Sequence, residues 1–414
     1  MASETQARSN GERSQGLPPV TPPSGKFIVQ LFLVPGLIVV GVLAVLIPIV
    51  VWQSRPYRAE VLLEDLRSGN ADVRWRAAER LAQMLPRDSK EAAPRFALDS
   101  KFALDLAEEL RNAIKVEQEI SGRIGGKSRE DLPKDHKELE AQQNLIRFLC
   151  GSLGHFNVPV TAPLLSEIAS LPASATNPVA LERQQIAILA LANLGDNLKY
   201  FHRQPEERRK AILDQLEGQA EGTGDRRKAA EAALAFWKYQ TPLGVEEVLA
   251  GCAKSEYAAV RELAALAFSF WDVGLAEQTL IELTNDDGRG AEPSDQQPFY
   301  QTQIRYLAVV ALARHGSELF EKHPDWINTL TEMLDGERQT KLNRTMVRGK
   351  EVVDQNRITE TTNTALKAAM VLHRLRPQLD LSALKPALKG LANAPSETLK
   401  EEAGALLNDL NKPS

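Results

Sequence analysis

The chain has 414 residues, a quarter of them charged, and a formal net charge of -5. No global basic excess exists to draw in nucleic acid, so DNA or RNA binding in a groove is disfavoured. Aromatics are only 6% of residues while alanine and leucine abound, which favours helices over strands and one long array over several separate domains.

Residues 1–25 are rich in Ser, Pro, Gly and charge, with Pro18-Pro19 and Pro22-Pro23, and have too few apolar groups to offset the entropy of ordering. A disordered polar tail is expected there. The run that starts at Phe27 and ends at Trp52 is almost unbroken in Ile, Val, Leu and Phe, with Gln30 its one strongly polar side chain. It exceeds the ~20 helical residues that a hydrocarbon core requires, so residues 26–53 read as a single transmembrane helix in contact with the lipid bilayer. A cleaved signal peptide is the competing reading, but its apolar region spans only about 7–15 residues and ends in a small-residue site. The expected location is therefore a plasma or inner membrane. Orientation stays open: Arg8, Arg13 and Lys26 precede the span while Arg55, Arg58 and Arg67 follow it.

From residue 54 to the end the pattern is helix, turn, helix. Val73, Ala77, Leu81 and Met84 share one stripe at helical spacing, and Asp72, Arg76, Glu79 and Gln83 lie off it. Such a helix needs a neighbour to cover its apolar face. Similar returning helices are expected over 141–154, 181–195, 226–237, 258–271, 302–316, 361–375 and 397–410, each preceded by an outer helix. The commonest spacing is near the ~40-residue period of two-helix repeats, and the polar last hairpin can act as a cap.

Asp72-Val73-Arg74 followed by Ala77-Ala78 and Leu81-Ala82, Val260-Arg261 followed by Ala264-Ala265, and Ile304-Arg305 followed by Ala308 and Ala311-Leu312 resemble the second helix of HEAT repeats. Helix endings at Gly154, Gly195 and Gly316 are similar to that family's terminus. The resemblance implies an all-α fold, a right-handed α-solenoid of about eight hairpins behind the membrane anchor. In such arrays arginines like Arg74, Arg183, Arg261 and Arg305 tie one repeat to the next, and the alternative is a row of cations lining the concave face. Its motifs specify fold, not function.

Three segments, 119–137, 285–299 and 336–361, lack apolar periodicity and are expected to be long loops available for contact. The third carries Arg338, Lys341, Arg344, Arg348, Lys350 and Arg357, a local positive excess. Its alternative role is that of a solvated, flexible loop. Most aromatics, among them Phe268 and Trp271, sit at helical spacing among Ala and Leu and read as core; Trp75, beside Arg76, lies off the buried stripe. Candidate partner-binding residues are therefore Trp75, Arg76, Arg338, Lys341, Arg344, Arg348 and Lys350.

Catalytic signatures are missing. The stretch from Ser121 to Ser128 nearly spells a phosphate-binding loop but lacks its first glycine and its preceding strand. None of the six histidines is followed by glutamate, and Cys150 and Cys252 stand alone in apolar patterns as small hydrophobes. No cofactor or metal is expected. The sequence thus points to a membrane-anchored, non-enzymatic scaffold for a protein partner. The alternatives are a helical-repeat enzyme or ligand carrier with a site assembled from distant residues, and a nucleic-acid binder.

Overall fold

The computed structural model describes residue 39 and residues 58–92, 94–172, 177–271, 277–347, 350–394 and 396–412. Apart from residue 39, the expected tail and membrane span lie outside the described residues, and no described helix is long and apolar enough to cross a membrane.

Helices build almost everything from residue 59 onward. The first hairpin pairs α1 (Ala59–Arg67) with α2 (Ala71–Asp88). Asn70 caps α2, its side-chain oxygen accepting from the Asp72 amide at 2.9 Å, which satisfies one of the orphan donors of a helix start. Ala77, Leu81 and Leu85 are buried on the inner stripe, while Val73 and Met84 lie at its half-buried margins. There follow α3 (Ser100–Ile124), α4 (Pro133–Leu153), α5 (Ala162–Ser170), α6 (Pro178–Leu198), α7 (Glu206–Ala220), α8 (Gly224–Tyr239), α9 (Val245–Cys252) and α10 (Ala258–Phe268). The second half holds α11 (Glu277–Leu283), α12 (Gln297–Arg314), α13 (Pro324–Leu334), α14 (Gly336–Leu342), α15 (Gln355–Leu375), α16 (Lys385–Gly390) and α17 (Glu397–Leu410).

The returning helices stack in one row, α2 on α4, α4 on α6, α6 on α10, α10 on α12, α12 on α15 and α15 on α17. This is a helical repeat solenoid. Its interior is continuous, because each amphipathic hairpin covers the apolar face of the next. Both cysteines belong to it as buried free thiols, and burial pushes Cys150 up to about 12 and Cys252 up to about 11.

One expected repeat departs from the row. The hairpin α7–α8 was expected to stack between α6 and α10, yet α6 packs directly on α10 and Trp271 Nε1 donates to Leu191 O at 2.8 Å across that junction. The hairpin instead folds back on the outer helix α3 and on the 3-10 turn Pro159–Thr161. Arg226 pairs with Asp105, Gln215 Nε2 donates to Asp99 Oδ1 at 3.0 Å, and Arg111 meets Asp225 at 3.5 Å. These polar groups draw the hairpin sideways.

A repeated tie holds the row together. The carbonyls left open at the ends of returning helices accept from side chains of a following repeat. Asn157 Nδ2 donates to Ser89 O at 2.9 Å, Asn197 Nδ2 to Gly154 O at 3.1 Å and Arg376 Nε to Gly316 O at 2.8 Å, while His315 Nε2 lies 3.0 Å from Phe268 O. Gly154 permits the closest of these approaches, since a Cβ there would stand 2.5–2.9 Å from backbone atoms of Ala190. Gly154→Ala is expected to destabilise the protein by about 2 kcal/mol, because neither backbone can yield. An unchanged thermal midpoint for that variant would show that α4 and α6 separate more easily than their contact implies.

The three expected loops are largely structured, which corrects the sequence reading. Segment 119–137 is mostly the end of α3 and the start of α4. Gly125 caps α3 at φ +53°, so the near-miss phosphate loop is a helix terminus. Segment 285–299 is an ordered turn pinned by Arg261. Segment 336–361 folds into α14, a two-stranded hairpin of β1 (Arg344–Val347) and β2 (Lys350–Val353), and the start of α15, so the fold is not purely helical. Arg344 faces Val353 in the antiparallel register, and Asp354 N donates to Asn343 O at 3.0 Å to close the base.

Candidate functional site

The exposed side of the returning helices carries the most informative side chains. Trp75, on α2, is 38% exposed and meets Phe148 of α4 edge to face with centroids 4.8 Å apart. The neighbouring junction has a surface ion pair, Arg147 with Glu182 at 2.6 Å, and Leu189 of α6 stands 42% exposed. Large apolar side chains exposed on helices of one row are the usual raw material of a contact surface. Phe268 and Trp271, by contrast, are buried in the core.

The other sequence candidates divide. Arg76 is exposed and donates to the Asp72 carbonyl of its own helix at 3.1 Å. Arg338 pairs with Glu332 at 3.0 Å, and Arg344 with Glu351 across the β-hairpin, also at 3.0 Å. Local carboxylates therefore neutralise much of the basic excess seen in the sequence. Lys341 is exposed on α14, Lys350 lies on β2, and Arg348 falls outside the described residues. The candidates thus occupy two places, the α2 face and the α14–hairpin insertion, and not one site.

The arginines of the repeat motif are structural ties at three positions. Arg183 pairs with Glu117 at 3.3 Å, Arg305 with Glu332 at 2.9 Å, and Arg261 with Asp286 at 2.6 Å. Arg261 directs every donor inward: Nε and Nη2 to the Asp286 carboxylate, Nη1 to the carbonyls of Ser255 and Glu256, and Nη2 also to that of Arg289. Gly290 completes the turn at φ +71°, where a Cβ would collide with the Glu256 carbonyl.

Sequence reasoning missed the cleft formed where α10, α12 and α15 meet, a space of about 400 Å³. Leu266, Leu307 and Met333 give it an apolar floor, and Glu262, Gln303, Arg357 and Glu360 add polar groups. Arg357 lies 4.2 Å above the Phe299 ring and 3.3 Å from Glu262, so an aromatic face and a carboxylate hold its guanidinium. Burial raises the Glu262 carboxyl above its usual range, against the opposing pull of Arg357. Tyr300 beside them is raised as well, first by burial and then by Glu262. No short motif could have announced this cleft, because its residues come from four helices, α10, α12, α13 and α15, spread over about a hundred residues of the chain.

Among the described residues no three His, Cys, Asp or Glu side chains converge where a metal ion could be held. The fold and this face define a helical repeat protein with an open, mixed apolar and polar surface on its returning helices. No family model and no curated protein matches the chain. Among solved structures, it is similar to a designed armadillo repeat protein at 14% identity and a TM-score of 0.32, covering 86% of this chain and all of the other. An engineered protein matches at 17% identity and a TM-score of 0.23, covering 86% and 99%. The architecture described above rests on the contacts of this chain itself.

Proposed function

We propose that the protein is a membrane-anchored scaffold, a right-handed HEAT-like solenoid that holds a protein partner on the face of its returning helices and works without catalysis or a cofactor. The observation that carries this reading is the exposure of Trp75 on α2 and Leu189 on α6, two returning helices of one row with α4 between them. A stacked array presents such a surface along its length, which suits recognition by shape. The span from Phe27 to Trp52 supports attachment at the bilayer, with the row beginning a few residues later.

Placing a photo-crosslinking amino acid at Trp75 or Leu189 of the full chain, in the cells that make it, tests the reading. A discrete protein adduct is expected at both positions and not at Val116, which is exposed on the outer helix α3. Adducts that are absent, or equally strong at Val116, would remove the basis for a scaffold face. The anchor has its own test, since the full chain is expected to stay with membranes through an alkaline carbonate wash.

A further inference from the structure

The cleft between α10, α12 and α15 is lined by a side chain whose amide is free to bond with an incoming group. Gln303 is only 6% exposed, lines the cleft, and its amide has no hydrogen-bond partner among the described residues. Its amide atoms open into the cleft, where an incoming segment can exchange hydrogen bonds with them. On other returning helices the buried amides of Gln142 and Gln184 each donate to a carbonyl of an outer helix, at 2.9 Å.

Charge and shape narrow what the cleft can take. Its lining has three carboxylates, Glu262, Asp354 and Glu360, against one guanidinium, Arg357. Arg357 is already held by Glu262 and Phe299, and Asp354 caps α15 by accepting from the Arg357 amide at 3.1 Å. Glu360 is exposed and makes no ion pair among the described residues. A volume of about 400 Å³ is at the small end of ligand sites, room for one or two side chains. Leu266, Leu307 and Met333 offer an apolar wall for a hydrocarbon stem.

We propose that this cleft receives a lysine- or arginine-bearing extended segment of a protein partner, its cation meeting Glu360, its stem lying on the apolar wall and a main-chain amide pairing with Gln303. This rests on the scaffold reading and gives that partner a chemistry. A carboxylate-bearing segment would face the net negative lining, and a purely apolar one would leave Gln303 unpaired.

The test uses the full chain in detergent and three labelled ten-residue peptides in which alanine alternates with lysine, glutamate or serine. Fluorescence anisotropy is expected to show binding of the lysine peptide above the other two, weakening as salt is raised. Glu360→Lys should weaken that binding about tenfold and Gln303→Leu about fivefold, while Glu401→Lys, in the last helix, leaves it unchanged. Glu360 is exposed, so its variant keeps the test sound if the Gln303 variant folds poorly. Equal binding of the glutamate peptide, or lysine-peptide binding indifferent to Glu360→Lys, would overturn the proposal. A crosslinker at Thr364, which also lines the cleft, separates the two readings. Adducts at Trp75 and Leu189 without one at Thr364 would overturn the cleft and leave the scaffold, and adducts at none would remove both.

Discussion

Arg261→Met is expected to lower the stability of the folded chain by about 3–5 kcal/mol, the cost of stranding a buried charge and its carbonyl partners. Arg261 is 5% exposed at its side chain and Asp286 is 8% exposed, so neither can turn to water when the other is lost. The variant would leave the Asp286 carboxylate and the carbonyls of Ser255, Glu256 and Arg289 short of a donor together. Pairing it with Asp286→Leu should recover only part of the loss, since the three carbonyls stay unserved. Urea unfolding measures the change, and hydrogen exchange at amides of α10–α12 locates it. A single variant within 0.5 kcal/mol of the parent, on the usual scale of surface substitutions, would mean that the turn is held by something else.

Acidification is expected to weaken the protein through His155. Burial, with a smaller push from Lys90, lowers its imidazole from 6.5 to about 4. Above pH 6.5 the ring is neutral in folded and unfolded chains alike, and its contribution to stability is whole. As pH falls from 6.5 towards 4 the unfolded chain takes up the proton and the folded one does not, so stability drains away by up to about 3 kcal/mol. His155→Gln should flatten the pH dependence of the urea midpoint between pH 7 and pH 5, ahead of most carboxylate titration. A variant curve parallel to that of the parent in this window would exclude His155 as the cause.

Much of the fold was legible because amphipathic stripes are local. The spacing of Ala77 and Leu81, the turn residues Ser68, Gly69 and Asn70, and the endings at Gly154 and Gly316 place helices within a few residues of those observed. What could not be read is where each hairpin goes. The stripe of α8 looks like that of α10, and it takes long-range contacts such as Arg226 reaching Asp105, 121 residues away in the chain, to show that α8 leaves the row. The β-hairpin did carry a signal: Thr345, Val347, Val352 and Val353 are β-branched and cluster in two quartets around Arg348-Gly349. The charges around them obscured it, and many of those charges are matched within the fold.

The candidate site was the least legible part. Trp75 was visible as an aromatic off the stripe, but Gln303 is an ordinary helical glutamine until its surroundings are known. Polar residues in helix interiors acquire meaning from what they fail to bond, and that is a property of three dimensions.

The sideways hairpin has a mechanical consequence. An array of helices bends chiefly at the seams between neighbours, and α7–α8 is a strut fixed to α3 while its chain ends join α6 and α9. Flexing between the α3–α4 and α9–α10 pairs must strain that strut, whereas the link from α10 to α15 is the side-chain pair of Glu262 with Arg357. The earlier half is thus braced by a whole hairpin and the later half by one ion pair, which stands in the wall of the cleft.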